Sequence, residues 1–203
     1  MCAGLATRFN GICKQLLPIN NNQTILDRTL EQTDKYSPYI VTRNQEILEH
    51  VFAHNVTTIL PTSYKTLCNS ILSTQYRWTD RVIILLGDVI YSNRVIQEIA
   101  SETDPLMFFG DEYEMYALSF SIESRPKIIS ALSEGATHPF GKLHHAYRSF
   151  ANTPWDRNET PKQLRADPNF HYVGCWITRD CDSPGHYENI KRELLAKHTL
   201  DSE

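Results

Sequence analysis

The sequence has no long apolar run and no strong excess of either charge. None of its hydrophobic stretches approaches the roughly 20 residues that a membrane-spanning helix needs. The N-terminus lacks a charged segment followed by an apolar core, so we expect no secretory signal. The net charge of −4 gives no overall attraction to nucleic acid or to an anionic membrane, and we expect neither as a partner.

Paired cysteines are also missing. The five cysteines are an odd number, and no two of them stand in a Cys-x-x-Cys arrangement. These facts argue against a disulfide framework and against a cysteine zinc site, and they fit the reducing cytosol. We therefore expect a cytoplasmic protein. Its 203 residues and ordinary composition, without low-complexity runs, suit a single domain over residues 1–203.

A phosphate-binding pattern is present at residues 3–19. Gly4 and Ala6 allow the backbone to turn tightly and to approach a ligand closely. A turn that leads into a helix points free N–H groups at that ligand and favours anions. Arg8 adds a fork of donors that suits phosphate, and Lys14 adds a mobile positive charge. Together these residues predict a cradle for a polyphosphate.

This pattern resembles the N-terminal signature of the nucleotidyltransferases that make activated sugars and alcohols, which reads roughly G-x-G-T-R, a variable gap, then P-K-x-L-x-x-[IV]. Its two parts here are Gly4-Leu5-Ala6-Thr7-Arg8 and Lys14-Gln15-Leu16-Leu17-Pro18-Ile19. The second part is similar to sugar-1-phosphate thymidylyltransferases, whereas the short gap and residues 22–26 are similar to cytidylyltransferases of isoprenoid and alditol phosphates. The resemblance implies catalytic roles for Arg8 and Lys14. It also implies that the nucleotide is bound by Ala3, Gly4, Leu5, Ala6, Thr7, Arg8 and Lys14.

Alternating strand and helix patterns predict the fold class. Helical periodicity at 24–32 is followed by further strands and helices and, at 81–86, by a continuous apolar run typical of a strand buried on both faces. This order predicts a mostly parallel central sheet in a three-layer α/β/α sandwich. The resemblance implies the GT-A-like Rossmann core of the nucleotide-diphospho-sugar transferases. That family has an apolar strand before the phosphate loop, and because little more than Met1 and Cys2 precedes the loop here, we expect this first strand to be truncated.

A candidate metal ligand follows the strongest predicted strand. Residues 81–86 lead into Gly87 and Asp88, so the Asp88 carboxylate should stand at the carboxyl edge of the sheet, where open α/β folds bind ligands. A carboxylate there suits Mg²⁺, which binds through one or two carboxylates plus substrate phosphates. The segment is similar to the family's second signature, L-G-D-x-x-[FY]. That similarity implies that Gly87 contacts the nucleotide and that Asp88 is a catalytic metal ligand.

Asp182 is a second candidate ligand for Mg²⁺. The run Asp182-Ser183-Pro184 is similar to the D-[ST]-P-x-D-[YF] element that closes the family's catalytic core, where the first aspartate joins the metal. The same three residue types also form an ordinary helix start, and both interpretations can hold together. His186 stands where the second acid of that element usually lies.

The nucleotide base and the second substrate have weaker signals. Thr66, Asn69 and Ser70 form a loose version of the T-N-x-x-S-like run with which the family often contacts the base, and we take Asn69 and Ser70 as nucleotide-binding candidates. The acidic turn at 110–114 is a candidate for contacts to acceptor hydroxyls, of which Glu114 is the strongest.

Adjacent histidines at positions 144 and 145 invite a metal interpretation. Neighbouring residues on a helix point to different faces, however, and no acid or cysteine stands at ligand spacing from them. We therefore do not interpret His144 and His145 as metal ligands.

The resemblance implies a Mg²⁺-dependent enzyme. It would transfer a nucleoside monophosphate from an NTP to a phosphorylated sugar, alditol or similar small molecule and release pyrophosphate. The attacking phosphate is already ionised, so catalysis needs positioning and charge stabilisation rather than a side-chain base. Two alternatives stay open: a GT-A-type glycosyltransferase that uses a nucleotide sugar, and a non-catalytic nucleotide-binding relative. The sequence also leaves open the base, the acceptor and whether the chain forms a homo-oligomer.

Overall fold

The computed structural model describes residues 12–20, 22–111, 114–152, 166–173, 179–181 and 183–200. Its helices are α1 (Ile25–Thr33), α2 (Gln45–Phe52), α3 (Leu67–Leu72), α4 (Asn93–Ser101), α5 (Arg125–Thr137), α6 (Leu143–Ala151) and α7 (Pro184–Leu200). Its strands are β1 (Pro18–Asn20), β2 (Gln23–Thr24), β3 (Tyr39–Val41), β4 (Thr57–Ile59), β5 (Arg81–Leu85), β6 (Val89–Ile90), β7 (Leu106–Gly110), β8 (Met115–Ser121), β9 (Phe170–Tyr172) and β10 (Arg179–Asp180). Within these ranges, no helix combines the length and the apolar character that crossing a membrane requires.

Side-chain caps set where the first helices begin. The Thr24 hydroxyl accepts a hydrogen bond from the backbone N–H of Asp27, 3.1 Å away, at the start of α1. The Asn44 side chain accepts one from the backbone N–H of Glu46, 2.8 Å away, at the start of α2. These bonds satisfy N–H groups that have no partner inside the helix. The helix predicted at 24–32 is confirmed as α1.

The central sheet has the strand order β5-β8-β7-β9. Strand β8 is antiparallel to both β5 and β7, and β9 is parallel to β7, so β5, β7 and β9 share one direction. In the register of these pairs, Leu118 lies opposite Ile84 and Phe108, and Phe108 lies opposite Phe170. The expected central sheet is confirmed, but it is mixed: β8 returns between two parallel strands, so two of the three described pairings are antiparallel.

Helices cover both faces of this sheet. On one face, Phe108, Leu118 and Phe120 pack in a buried cluster with residues of α3, α5 and α6. On the other face, Met107 and Phe109 pack with residues of α4. Neighbouring strand residues go to opposite faces because side chains alternate along a strand. The result is the three-layer α/β/α arrangement that the sequence predicts.

The chain before β5 adds a smaller parallel pair. Strands β3 and β4 are parallel, with Ile40 opposite Thr58. Helices α1 and α2 share a buried cluster with this pair and with the segment before Lys14, composed of Cys13, Leu26, Leu30, Ile40, Ile47 and Val51. Strands β1 and β2 form one antiparallel pair, and β6 and β10 form another. The expectation of a truncated first strand falls on residues 1–11, outside the described part of the chain.

Strand β5 is less buried than its continuous apolar sequence predicts. Ile84 is buried at 7% exposure, but Ile83 is 37% exposed. The expectation that β5 is buried on both faces is therefore wrong. Ile84 faces the layer of α3, α5 and α6, whereas the α4 layer on the opposite face is centred on β7 and β8.

Helix α5 continues through Gly135 and ends at Thr137. A Cβ atom at this position would lie 2.9 Å from the backbone nitrogen of Ala146 in α6 and 3.1 Å from the sulfur of Cys68 in α3. The glycine therefore lets three helices approach one another, a role that outweighs its low helix propensity.

We expect Gly135→Ala to lower the free energy of unfolding by about 1–2 kcal/mol, because forcing a methyl group against backbone costs more than the helix gains from losing a glycine. Gly185→Ala is the matched control, since a Cβ at Gly185 in α7 meets nothing within 4 Å. Urea unfolding of both variants measures the difference. A Gly135→Ala protein as stable as Gly185→Ala contradicts the packing role.

Candidate functional site

The two sequence signatures meet in space through Lys14 and Asp88. Lys14 begins a short 3₁₀ turn, Lys14–Leu16, and Asp88 follows the carboxyl end of β5. The Nζ atom of Lys14 lies 3.3 Å from Oδ2 of Asp88. The Lys14 side chain is 13% exposed and that of Asp88 is 30% exposed. A cation and a carboxylate therefore share a half-buried position at the edge of the sheet where ligands bind in folds of this kind.

A buried tyrosine fixes the turn that carries Gly87 and Asp88. The Tyr91 side chain is fully buried, and its hydroxyl donates to the carbonyl oxygen of Tyr116 at 2.6 Å. The same hydroxyl oxygen accepts a hydrogen bond from the backbone N–H of Leu86 at 2.9 Å. Both ends of the turn from Leu86 to Tyr91 are thus attached to strand β8. The turn carries Asp88, so Tyr91 sets where its carboxylate stands.

We expect Tyr91→Phe to lower kcat about tenfold and to cost about 1 kcal/mol of stability, because the backbone groups of Leu86 and Tyr116 keep their bond to each other at 3.0 Å but lose the one to the tyrosine hydroxyl. If Asp88 is the metal ligand that the sequence resemblance implies, the positioning role also predicts that more Mg²⁺ is needed for half-maximal activity, whereas KM for the NTP changes little. Tyr147→Phe is the matched control, because the Tyr147 hydroxyl is bound by Asp167 on the α6 side of the sheet. If Tyr91→Phe behaves like Tyr147→Phe, losing stability without any change in Mg²⁺ requirement, the positioning role of Tyr91 is wrong.

The segment just before Asp182 runs beside the Asp88 turn. In the antiparallel pair of β10 and β6, Arg179 lies opposite Ile90 and Asp180 lies opposite Val89. The backbone N–H of Cys181 then donates to the carbonyl oxygen of Asp88 at 3.1 Å. Asp182 itself lies outside the described residues.

The phosphate cradle is described at one end only. Lys14 belongs to the described part of the chain, and its neighbour Cys13 packs into the cluster with α1 and α2. The other predicted members of the cradle lie outside the described residues: Ala3, Gly4, Leu5, Ala6, Thr7 and Arg8.

The two candidates for the nucleotide base differ in exposure. Asn69 is half-buried at the start of α3, and its Oδ1 accepts a hydrogen bond from the Thr66 hydroxyl at 2.9 Å. Ser70 is fully buried, and its hydroxyl donates to the carbonyl oxygen of Thr66 at 3.1 Å. In this conformation Ser70 is 0% exposed and so offers no surface for a direct contact, and its hydroxyl is already hydrogen-bonded within the helix turn.

The acidic turn after β7 is tied to the start of α6. Lys142 Nζ lies 3.0 Å from Oε1 of Glu114. The Asp111 carboxylate, in contrast, closes its own turn by accepting a hydrogen bond from the backbone N–H of Glu114 at 2.9 Å. Since β7 runs parallel to β5, this turn lies at the same edge of the sheet as Asp88. Lys142 also lies at this edge, and no sequence motif points to it.

Residues 1–151 match the MobA-like NTP transferase domain. The chain belongs to this family. It is therefore a member of a nucleotidyltransferase family, and the recognition made from the two signatures is confirmed. No protein of curated function matches the sequence.

Solved structures of nucleotidyltransferases share the fold. The CTP:phosphocholine cytidylyltransferase LicC from Streptococcus pneumoniae is 11% identical, with a TM-score of 0.61 over 95% of this chain and 96% of that one. A UDP-glucose pyrophosphorylase complexed with UDP-glucose is 14% identical, with a TM-score of 0.62 over 97% of each chain. A nucleoside-diphosphate-sugar pyrophosphorylase from Vibrio cholerae RC9 is 15% identical, with a TM-score of 0.53 over 94% of this chain and 97% of that one. These likenesses establish the nucleotide-diphospho-sugar transferase-like fold.

The chemistry of the Asp88 position fits a Mg²⁺ ligand. Mg²⁺ keeps several waters and takes one or two carboxylates together with phosphate oxygens of the substrate. Asp88 offers a partly exposed carboxylate at the carboxyl end of β5, so it has an oxygen donor and room for water and phosphate around it. Within the described residues, the Lys14 ammonium group lies beside this carboxylate and compensates its charge.

Three histidines cluster beside Lys142. The His138 and His145 rings stack with centroids 3.6 Å apart, and His144 and His145 lie 4.1 Å apart. Burial lowers the pKa of His144 to about 3, and burial together with the charge of His138 lowers the pKa of His145 to about 4. The backbone N–H of Lys142 donates to Nδ1 of His145 at 2.9 Å, which requires that nitrogen to be unprotonated. Both rings are therefore neutral at pH 7.

We expect the protein to lose stability as the pH falls from about 6.5 towards 4. Because the folded chain holds His144 and His145 at lowered pKa, the unfolded chain binds more protons in this window, and acid favours unfolding. His145→Asn should flatten the dependence of the melting temperature on pH, whereas His186→Asn, at an exposed position, should leave it unchanged. Equal pH profiles for wild type and His145→Asn contradict this account.

Proposed function

We propose that this protein is a Mg²⁺-dependent nucleotidyltransferase that transfers a nucleoside monophosphate from an NTP to a phosphorylated sugar, alditol or similar small molecule and releases pyrophosphate. The contact of 3.3 Å between Lys14 and Asp88 carries the proposal. It brings the lysine of the first family signature next to the aspartate of the second. The family membership supports the general reaction, and the acceptor class rests on the sequence resemblance.

The proposed reaction relies on charge and position. An oxygen of the acceptor phosphate attacks the α-phosphorus of the NTP, the bond to the bridging oxygen breaks, and pyrophosphate leaves. The attacking group is already an anion, so no residue must remove a proton from it. Arg8, Lys14 and the backbone N–H groups of residues 3–7 would offset the negative charge that grows on the leaving pyrophosphate.

The proposed role of Asp88 takes account of its contact with Lys14. A lysine and an aspartate in contact neutralise each other, so the site carries little net charge at that point before the substrate arrives. On binding of the nucleotide, Lys14 turns to the triphosphate, and Asp88, together with Asp182, would hold Mg²⁺. Bound Mg²⁺ supplies charge neutralisation and polarisation at the phosphate oxygens.

The neighbouring polar groups suggest where the two substrates lie. Asn69 at the start of α3 is the proposed contact to the base, with Ser70 supporting the helix turn from inside. Gly87 lets the nucleotide approach the Asp88 turn. Glu114 and Lys142, which face each other at 3.0 Å, would contact the acceptor, the lysine its phosphate and the glutamate its hydroxyl groups.

Pyrophosphate release tests the proposal directly. Each common NTP is incubated with pooled sugar phosphates and pooled alditol phosphates, with and without Mg²⁺. The proposal expects acceptor-dependent and Mg²⁺-dependent pyrophosphate from at least one combination. Transfer from a nucleotide sugar without pyrophosphate indicates a glycosyltransferase instead, and a thermal shift with NTP but no turnover under any condition indicates a non-catalytic relative.

A further inference from the structure

Two histidines and an aspartate form a compact cluster outside the site described above. The Oδ1 atom of Asp27 lies 2.7 Å from Nε2 of His50 and 3.2 Å from Nε2 of His54. The ligating atoms of the three residues all lie within 4.8 Å of one another. We propose that Asp27, His50 and His54 bind a divalent transition-metal ion of the Zn²⁺ class, at a site separate from the nucleotide site.

The spacing of these atoms suits a metal ion. Zn²⁺ binds imidazole nitrogen and carboxylate oxygen at about 2.0–2.1 Å, and tetrahedral geometry then separates neighbouring ligand atoms by about 3.3 Å. Side-chain rotations can bring to this value the separations of 2.7 and 3.2 Å from Asp27 Oδ1 and the separation of the two histidine nitrogens, which is at most 4.8 Å. Two imidazoles and one carboxylate form a donor set that selects Zn²⁺ and related ions over Mg²⁺, which prefers oxygen alone.

The two histidines are brought together by the helix end. His50 is in α2 and His54 follows four residues later. Residues four apart lie on the same face of a helical turn, so the two side chains are neighbours. The backbone N–H of His54 donates to the carbonyl oxygen of Val51 at 3.0 Å, which continues the turn beyond Phe52. This spacing is visible in the sequence, but Asp27 comes from α1, and only the packing of the two helices brings it to the histidines.

The Asp27 carboxylate is oriented by its other oxygen. Oδ2 accepts hydrogen bonds from the backbone N–H and from the hydroxyl of Thr24, both at 2.8 Å. Oδ1 is thereby turned towards His50 and His54. Outer contacts of this kind orient the ligands in metal sites. The side chains of Asp27, His50 and His54 are 17%, 27% and 45% exposed, which leaves an entry path for an ion and room for water as a further ligand.

The cluster opens into a polar cavity of about 1150 Å³ at the amino ends of β3 and β4, whose first residues Tyr39 and Thr57 line it. Asn20, Gln23 and Glu31 are other polar members of its wall. Asp88, in contrast, follows the carboxyl end of β5. The two sites therefore belong to different strand ends and use different residues.

The proposed ion would link α1 to α2 by bonds that only the folded chain can make. The two helices otherwise share the apolar cluster that includes Leu26, Leu30, Ile47 and Val51. A ligand that binds the folded chain alone stabilises it in proportion to the logarithm of its free concentration. Zn²⁺ should therefore raise the melting temperature without any nucleotide.

The test uses full-length protein without a histidine tag, treated with chelator and then dialysed, and carrying Asp88→Asn to remove that carboxylate. Titration calorimetry with Zn²⁺ should give one ion per chain, and Zn²⁺ should raise the melting temperature. Co²⁺ added to the same protein should produce visible absorption bands typical of nitrogen and oxygen ligands. His54→Ala, at the most exposed of the three positions, should weaken Zn²⁺ binding about tenfold or more and abolish these bands.

His171→Ala is the matched control, because His171 also faces a carboxylate, that of Glu98 at 3.4 Å, but has no third ligand in the described cluster. It should bind Zn²⁺ as the parent does. A parent protein that takes up no Zn²⁺, or one that binds Zn²⁺ equally well after His54→Ala, shows that the cluster is only a hydrogen-bonded network and overturns the proposal. Neither outcome bears on nucleotide transfer, which the pyrophosphate assay measures separately.

Discussion

Asp88→Asn is expected to reduce Mg²⁺-dependent nucleotidyl transfer by about 10³-fold or more, because the amide keeps the shape of the side chain and removes the charge on which metal binding depends. The melting temperature should stay close to that of the wild type. Asp88 is 30% exposed, and a partly exposed ion pair such as the one with Lys14 contributes only about 0–1 kcal/mol to stability. Loss of activity without loss of fold is therefore the expected signature.

Asp104→Asn is the control for this prediction, since Asp104 is an exposed aspartate before β7. The assay is pyrophosphate release over a range of Mg²⁺ concentrations, together with thermal unfolding of the same samples. Excess Mg²⁺ should not restore Asp88→Asn to wild-type turnover. If the variant retains full activity, Asp88 is not the metal ligand and the reading of the second signature is wrong.

Lys14→Ala is expected to lower kcat/KM by about 10²-fold, the scale of one strong electrostatic donor in a preorganised site. The same change should have the opposite effect on Mg²⁺ binding in the absence of nucleotide. Lys14 lies 3.3 Å from the Asp88 carboxylate and competes with any cation for it, so removing the lysine should tighten Mg²⁺ binding while turnover falls. A lysine with only a structural role would not produce this pair of changes.

Lys127→Ala controls for the loss of a positive charge, because Lys127 is an exposed lysine of α5. It should change neither turnover nor Mg²⁺ binding. Lys14→Arg should restore only part of the activity, since a planar guanidinium does not occupy the place of a compact ammonium group. Normal turnover of Lys14→Ala would remove this residue from the phosphate cradle.

Much of the architecture is predictable because local pattern and tertiary packing agree. Apolar alternation and caps such as Asn44 define helices and strands whose order implies a layered α/β fold. The position of β8 is less predictable, because its antiparallel return between β5 and β7 depends on pairing distant in sequence. The exposure of Ile83 cannot be predicted from the sequence either. An apolar run shows that a strand can be buried, but it does not show how much of the strand the neighbouring helix covers.

The candidate site is predictable where a residue type and a strand end coincide. Asp88 is such a case, because it follows the carboxyl end of β5. Its contact with Lys14 depends on how the turn at Lys14–Leu16 packs against that strand end. Tyr91 and Gly135 are different. The first acts through a hydrogen bond to Tyr116, and the second acts by leaving space for Ala146. Both partners are remote in sequence, and neither tyrosine nor glycine carries a local signal for such a role.

The pairing of β10 with β6 has a consequence for the timing of site assembly during synthesis. The ribosome releases the segment with Lys14, Asp88 and Tyr91 well before Cys181, whose N–H binds the Asp88 carbonyl. Helix α7 emerges later still, and its residues Tyr187, Ile190 and Leu194 complete the core beneath Leu17, Ile19 and Ile25. A nascent chain arrested after α6 should therefore contain formed helices and a partial sheet, yet it should not retain nucleotide. We expect the chain to retain nucleotide only after the segment with Cys181 has paired with the Asp88 turn, and this closure should be slow because the contact is distant in sequence.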